Sequence, residues 1–189
     1  MSGLLIVYGT KEGQTGRIAE RIARIAQEHG VETNVLDGKA APKDMDIDSC
    51  SGVIVAASVH TGHHESYIER FVQAHAGELN RVPSAFVSVS MSASKAETLH
   101  EVEPVVEQFL QRAGWTPMRS GLFGGALMYR EYNMFVRWIM KRISAREGGP
   151  TDTSKNYDLT DWSAVERFTE DFLTLLTPVA GDRPASQVV

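Results

Sequence analysis

The chain has 189 residues, 42% of them hydrophobic and 23% charged, with a formal charge of −5 and a single cysteine. The acidic balance argues against a general nucleic-acid binder, which carries a basic excess, and Cys50 alone cannot close an internal disulfide, so a reducing cytoplasm is the expected compartment. No run approaches the ~20 apolar residues of a membrane span, and the stretch 4–7 is too short for a signal segment.

Apolar runs of strand length alternate with amphipathic stretches of helix length. The first strand is predicted over 4–8. Ile18, Ile22, Ile25 and Ala26 then recur at helical spacing, with Arg17, Arg21 and Arg24 outward and Gly30 closing the helix. Strands follow at 31–36 and 53–57, then a helix over 65–76 with Ile68, Phe71 and Val72 inward and Gly77 ending it. A fourth strand is predicted over 85–89 and a helix over 96–113, in which Pro104 moves the expected start to near Glu103. The fifth strand is predicted over 121–127. A basic helix over 134–145 comes next, and a last helix from Asp161 buries Trp162, Val165, Phe168, Phe172 and Leu176. The expectation is one domain over 1–177 with a disordered tail over 178–189. Five strands separated by helices imply an α/β, three-layer fold: a five-stranded parallel sheet with helices on both faces and right-handed crossovers. Ligands of such sheets sit beyond the carboxyl ends of the strands, where strand order switches, so the loops after strands one, three, four and five are the candidates.

After strand one comes Gly9-Thr10-Lys11-Glu12-Gly13-Gln14-Thr15-Gly16. Strand, glycine-containing loop and helix N-terminus together make an anion site, because the first helical amides lack partners and the helix dipole favours negative charge there. Three competitors fail on spacing. A nucleotide P-loop needs Gly-Lys-Ser/Thr, a dinucleotide fingerprint needs G-x-G-x-x-G, and a phosphoacceptor domain needs an aspartate where Ser58 stands. A plain tight turn with a threonine cap uses the same residues. The run Thr10, Lys11, Glu12, Gly13, Gln14, Thr15 resembles the flavodoxin phosphate loop T-x-[ET]-G-x-T, and that resemblance implies FMN with its phosphate gripped here.

After strand three, Ser58, Val59, His60, Thr61 and Gly62 precede His63 and His64. Three nearby histidines suggest a metal, but no carboxylate or thiolate set accompanies them, and no metal is expected. The flavodoxin resemblance puts this loop against one side of the isoalloxazine; the customary aromatic is missing, so Thr61 and the imidazoles of His60 and His63 take its place. His60 and His63 are also the candidates for proton relay near neutral pH. After strand four, Ser90, Met91, Ser92 and Ala93 are small or flexible enough for backbone amides to approach a pyrimidine edge, although an ordinary turn before a helix looks the same. Gly124, Gly125 and Ala126 complete the set.

The C-terminal third carries Gly124-Gly125-Ala126-Leu127-Met128-Tyr129, then Gly148-Gly149-Pro150-Thr151-Asp152-Thr153-Ser154-Lys155 and Tyr157-Asp158-Leu159-Thr160-Asp161-Trp162. In this order the three blocks resemble the menaquinone-dependent protoporphyrinogen oxidase family (protoporphyrinogen IX dehydrogenases), and the similarity runs over 4–176. The resemblance implies an FMN-dependent oxidoreductase that converts protoporphyrinogen IX to protoporphyrin IX, with menaquinone or another quinone as acceptor. A rival is a flavodoxin-type electron carrier without substrate chemistry; the basic insertion over 128–160 counts against it. Within that insertion Met134, Phe135, Trp138 and Ile139 alternate with Arg137, Lys141, Arg142 and Arg146. Tyr129, Arg137, Trp138, Lys141 and Arg142 form the expected face for a carboxylate-bearing substrate or for an anionic membrane, which would make the protein peripheral on the inner side of a membrane through 129–146. A packed helix with a solvated basic side is the plain alternative. No nucleic-acid partner is expected, and a homo-oligomer is left open.

Overall fold

A computed structural model describes residues 3–42, 44–146 and 148–176; the predicted tail at 178–189 lies outside the described residues. Five parallel strands form the central sheet: β1 (Leu4–Gly9), β2 (Thr33–Asp37), β3 (Gly52–His60), β5 (Ser84–Ser90) and β6 (Arg119–Gly124), in the order β2-β1-β3-β5-β6. The two-residue β4 (His63–His64) folds back antiparallel on the end of β3. Strand order reverses direction at β1, so the carboxyl ends of β1 and β3 flank the switch point.

Side chains alternate across this sheet, and each face builds its own core. Leu5, Val7, Val53, Val55 and Phe86 point to one side, where α2 (Ser66–Ala74) and α4 (Leu99–Ala113) add Ile68, Phe71, Val106 and Phe109. Leu4, Ile6, Ile54 and Val87 point to the other, against Ile18 and Ile22 of α1 (Gln14–Glu28) and Val165 and Phe172 of α6 (Trp162–Leu173). The Asp161 carboxylate caps α6 by accepting from Ser163 N and Ala164 N, both at 3.0 Å. Trp162, expected inside, is only partly buried.

Several predicted boundaries move, each for a local reason. β2 begins at Thr33, because Val31 is still held in the turn by its amide bond to Ala26 O. β3 runs on to His60, so Ser58, Val59 and His60 belong to a strand and the predicted loop shrinks to a hairpin tip. The helix predicted over 65–76 breaks at His75 into α2 and the one-turn α3 (Ala76–Leu79), with Gly77 inside the latter. Two 3₁₀ turns fill 92–98, and α4 starts at Leu99 rather than near Glu103, so Pro104 stands in its second turn.

The fifth strand ends at Gly124, and β7 (Ala126–Leu127) leaves the sheet to pair with β8 (Tyr157–Asp158). The backbone of Leu159 presses on Gly124: a Cβ there would lie 2.2 Å from Leu159 O. Gly124→Ala should therefore destabilise the fold by roughly 1–3 kcal/mol, as overpacking does, with the loss read in a denaturant midpoint. Beyond β7 stands α5 (Met134–Arg146), the helix predicted over 134–145.

Candidate active site

The loop over 10–15, expected to hold a phosphate, lies at the switch point. Gly13, at φ +90°, turns the chain into α1. Thr10 Oγ1 accepts the Gly13 amide at 2.9 Å, and Tyr67 Oη accepts the Thr10 amide at 2.9 Å. Those two amides are thus committed to shaping the loop. The first amides of α1 keep the outward orientation of a helix start. Beside them Thr15 Oγ1 is buried without a hydrogen-bond partner, an arrangement that costs stability unless something arrives to satisfy it. The Gln14 side chain is committed to neighbouring side chains. Its Nε2 donates to Asp158 Oδ1 at 2.8 Å and to Thr160 Oγ1 at 2.7 Å, while its Oε1 accepts from Arg17 at 2.8 Å.

Opposite the loop, β3 and β4 form a hairpin with Thr61 (φ +49°) and Gly62 (φ +78°) at its tip, both in the left-handed region that a two-residue turn of this hand requires. A β-branched residue adopts that conformation at a cost, so Thr61 is strained. Thr61 and Gly62 are exposed at the tip and do not line the cleft. His60 does. Burial pulls its imidazole below the usual range and Lys11 adds to this, while Glu12 and Glu65 oppose it. Its Nε2 lies 3.7 Å from Glu65 Oε1, which also accepts from Ser58 Oγ at 3.2 Å. His63 is exposed, across the hairpin from His60. His64 is buried between Phe86 and Phe109, its Nε2 2.9 Å from Ser88 Oγ. No group of three or more His, Cys, Asp or Glu among the described residues could hold a metal.

The cleft between loop and hairpin is lined by Thr10, Glu12, Gln14, Thr15, Ser58, Val59, His60, Ser90, Met91, Gly125 and Ala126, all predicted, and by Val89 and Met140, which were not. Of the other predicted residues, Lys11 faces a neighbouring concavity. Ser92 and Ala93 lie in the 3₁₀ turn behind Met91, where the Ala93 amide is spent on Ser90 Oγ at 3.1 Å. Gly124 is covered by Leu159, and its carbonyl accepts from Thr160 Oγ1 at 2.7 Å. The enclosed part of the cleft measures about 80 Å³, room for the edge of a ring system rather than its body. Met140, from α5, forms part of its wall, and a thioether side chain can yield.

The flavodoxin domain family matches residues 5–154. Among solved structures, a flavodoxin from the domain Archaea superposes with a TM-score of 0.52 at 15% identity, covering 92% of this chain and 98% of that one. The oxidised Flavodoxin 1 of Bacillus cereus gives 0.56 at 16% identity, covering 92% and 98%. At such identities the likeness concerns the fold. Closer in sequence is the protein named protoporphyrinogen IX dehydrogenase [quinone] of Leishmania major, 36% identical over 187 residues, 98% of this chain and 80% of that one. The protein of the same name from Escherichia coli K12 is 34% identical over 172 residues, 90% and 94% of the two chains. The chain belongs to the protoporphyrinogen IX dehydrogenase [quinone] family.

The flavin that the flavodoxin domain indicates fits this member of the dehydrogenase family: the unpartnered Thr15 hydroxyl and the first amides of α1 suit an anionic group, and the cleft beside them suits a ring edge. The insertion departs from expectation at two points. Tyr129 is fully buried, its Oη donating to Pro150 O at 2.8 Å, so it cannot form an outer face; it anchors a small core with Leu127 and Tyr132. Arg137 is not a free cation either. Its guanidinium donates to Tyr129 O at 2.8 Å and Tyr132 O at 3.0 Å, capping the loop that leads into α5. Tyr132 in turn approaches Glu12, and burial together with that carboxylate pushes the phenol upward.

The rest of α5 is barely packed: Ser144 is its one buried residue among those described. Met134 (84% exposed), Phe135 (69%) and Trp138 (56%) stand in solvent. Lys141 and Arg142 are exposed with them, and the Arg142 guanidinium lies 5.2 Å over the Trp138 ring. No helix of the described residues is long and apolar enough to cross a membrane.

Proposed function

We propose that the chain binds FMN, oxidises protoporphyrinogen IX and delivers the electrons to a quinone. The activity named for its relatives supports the substrate and acceptor, and the observation that carries the cofactor reading is the buried, unpartnered Thr15 hydroxyl at the start of α1. A flavin supplies the two-electron chemistry when bound. Thr15 and the first amides of α1 hold its phosphate, Ser90, Met91 and Gly125 border its ring, and His60, one of the ring nitrogens of which faces Glu65, takes up a proton at the cleft. Anaerobic mixing with protoporphyrinogen IX should bleach the flavin absorption. A flavin that stays oxidised with this substrate, yet is reduced by a flavodoxin reductase, would make the chain an electron carrier instead.

The exposed face of α5 suits an anionic lipid surface from which a quinone is reached. Large apolar side chains at Met134, Phe135 and Trp138 and cations at Lys141 and Arg142 are the composition of an interfacial helix. Lys141→Glu with Arg142→Glu should weaken binding to anionic vesicles by about thirtyfold or more, at roughly 1 kcal/mol per basic residue near the surface, and leave neutral vesicles and FMN affinity unaffected. Sedimentation with vesicles measures this directly; unchanged binding would leave α5 a solvated helix.

A further inference from the structure

The hairpin, the phosphate loop and the N-terminus of α2 enclose a second concavity of about 320 Å³, which shares Thr10 and His60 with the cleft and nothing else. Its rim carries Lys11, Lys39 and His63, all exposed. Neither lysine is ion-paired with a carboxylate among the described residues. Lys39 is nevertheless held in place: its ammonium lies 5.2 Å over the Tyr67 ring, and Tyr67 Oη accepts the Thr10 amide of the phosphate loop. The one carboxylate in the wall, Glu65, accepts from Ser58 Oγ and stands 3.7 Å from His60 Nε2. α2 begins at Ser66 with no side chain capping its first amides, so the positive end of a helix dipole adds to the same field.

We infer that this basin receives a carboxylate arm of the substrate. The inference rests on the porphyrinogen reading of the adjoining cleft, and it moves the carboxylate contact from α5, where Arg137 is spent on backbone carbonyls, to the far side of His60. A flat macrocycle lying over the cleft would reach the basin across the His60 ring. Carboxylate recognition by an ammonium held on an aromatic face, with uncapped amides beside it, is charge-assisted and stronger than a neutral contact. The basin and α5 then divide the work: the basin orients substrate, and α5 meets lipid.

The test is equilibrium binding to the flavin-loaded protein, read by fluorescence with protoporphyrin IX and with its dimethyl ester, which lacks the two carboxylates. Lys39→Glu should weaken protoporphyrin IX by about tenfold, as reversing one charge in a partly solvated charge-assisted contact does, and leave the ester unchanged. Lys141→Glu/Arg142→Glu should change neither. Equal weakening of acid and ester, or weakening by the α5 variant alone, overturns the inference. Wild-type protein that binds neither porphyrin defeats the substrate reading. In that event glutarate titrated into ¹⁵N-labelled protein decides the basin by itself: saturable shifts at His63 and Ser66 that vanish in Lys39→Glu uphold a carboxylate site, and their absence refutes it.

Discussion

Thr15→Val should lower affinity for FMN by about ten- to a hundredfold, the 1.5–3 kcal/mol of a hydrogen bond to a charged group, and leave riboflavin binding almost untouched. The substitution is nearly isosteric, so the start of α1 keeps its shape. Its second consequence has the opposite sign. In the flavin-free protein the Thr15 hydroxyl is buried with no partner, and replacing an unsatisfied polar group with a methyl is neutral or stabilising. Flavin-free Thr15→Val should thus melt no lower than wild type while the loaded form loses its ligand-induced gain. Calorimetry of both forms, with fluorescence titration of FMN and riboflavin, measures the pair of effects. Equal weakening of both flavins would place the phosphate elsewhere.

The second large effect is a pH dependence of stability centred on His64. Burial, with smaller contributions from Arg112 and His63, pushes its imidazole down to about 3, whereas an unfolded histidine titrates near 6.5. The unfolded chain therefore binds a proton that the native protein refuses between about pH 6.5 and 3. Stability from this residue is complete above that window and is lost as the pH falls through it, by about 1.4 kcal/mol per unit. The difference between wild type and His64→Leu, followed by urea unfolding at successive pH values, isolates the term from the carboxylates. That difference should shrink or reverse in favour of the leucine variant on acidification. A difference independent of pH would mean that His64 ionises normally and that the hairpin is loosely seated. Because His64 and Ser88 tie β4 to β5, acid should also detach β4 and the hairpin tip that follows His60, releasing flavin before the sheet unfolds.

What could be read ahead of the structure was what is local. Thr10 to Thr15 is contiguous, follows a short apolar strand and opens an amphipathic helix, so its geometry is set by backbone rules within a dozen residues. The alternation of Leu4, Leu5, Ile6 and Val7 between two cores follows from strand periodicity alone. What stayed hidden depended on distant partners. Arg137 carries the same charge as Lys141, and nothing in the pattern says that it is spent on the carbonyls of Tyr129 and Tyr132, since carbonyls have no sequence signature. Tyr129 sits beside a polar insertion and yet is fully buried, because β8 and Pro150 close over it. Met140 reaches the cleft because of where α5 lands, and the run 121–127 breaks because Leu159, 35 positions past Gly124, needs the space of a side chain. Gln14 was legible as part of the phosphate motif, but that its side-chain amide is held by Asp158 and Thr160 was not.

That last contact sets an order of events in the cell. Gln14 leaves the ribosome early, whereas Asp158 and Thr160 are added 144 and 146 residues later, and Phe172, which seals the core behind α1, follows them. The nascent chain can shape β1 and the turn at Gly13 long before it can brace them. At a synthesis rate of about 5–20 residues per second, the interval lasts roughly seven to thirty seconds. Throughout it the apolar side of α1 has no α6 to cover it. Cofactor capture is therefore a late step of biogenesis, completed only when the final helix docks, and a ribosome stalled before Asp158 should hold a chain that cannot retain flavin.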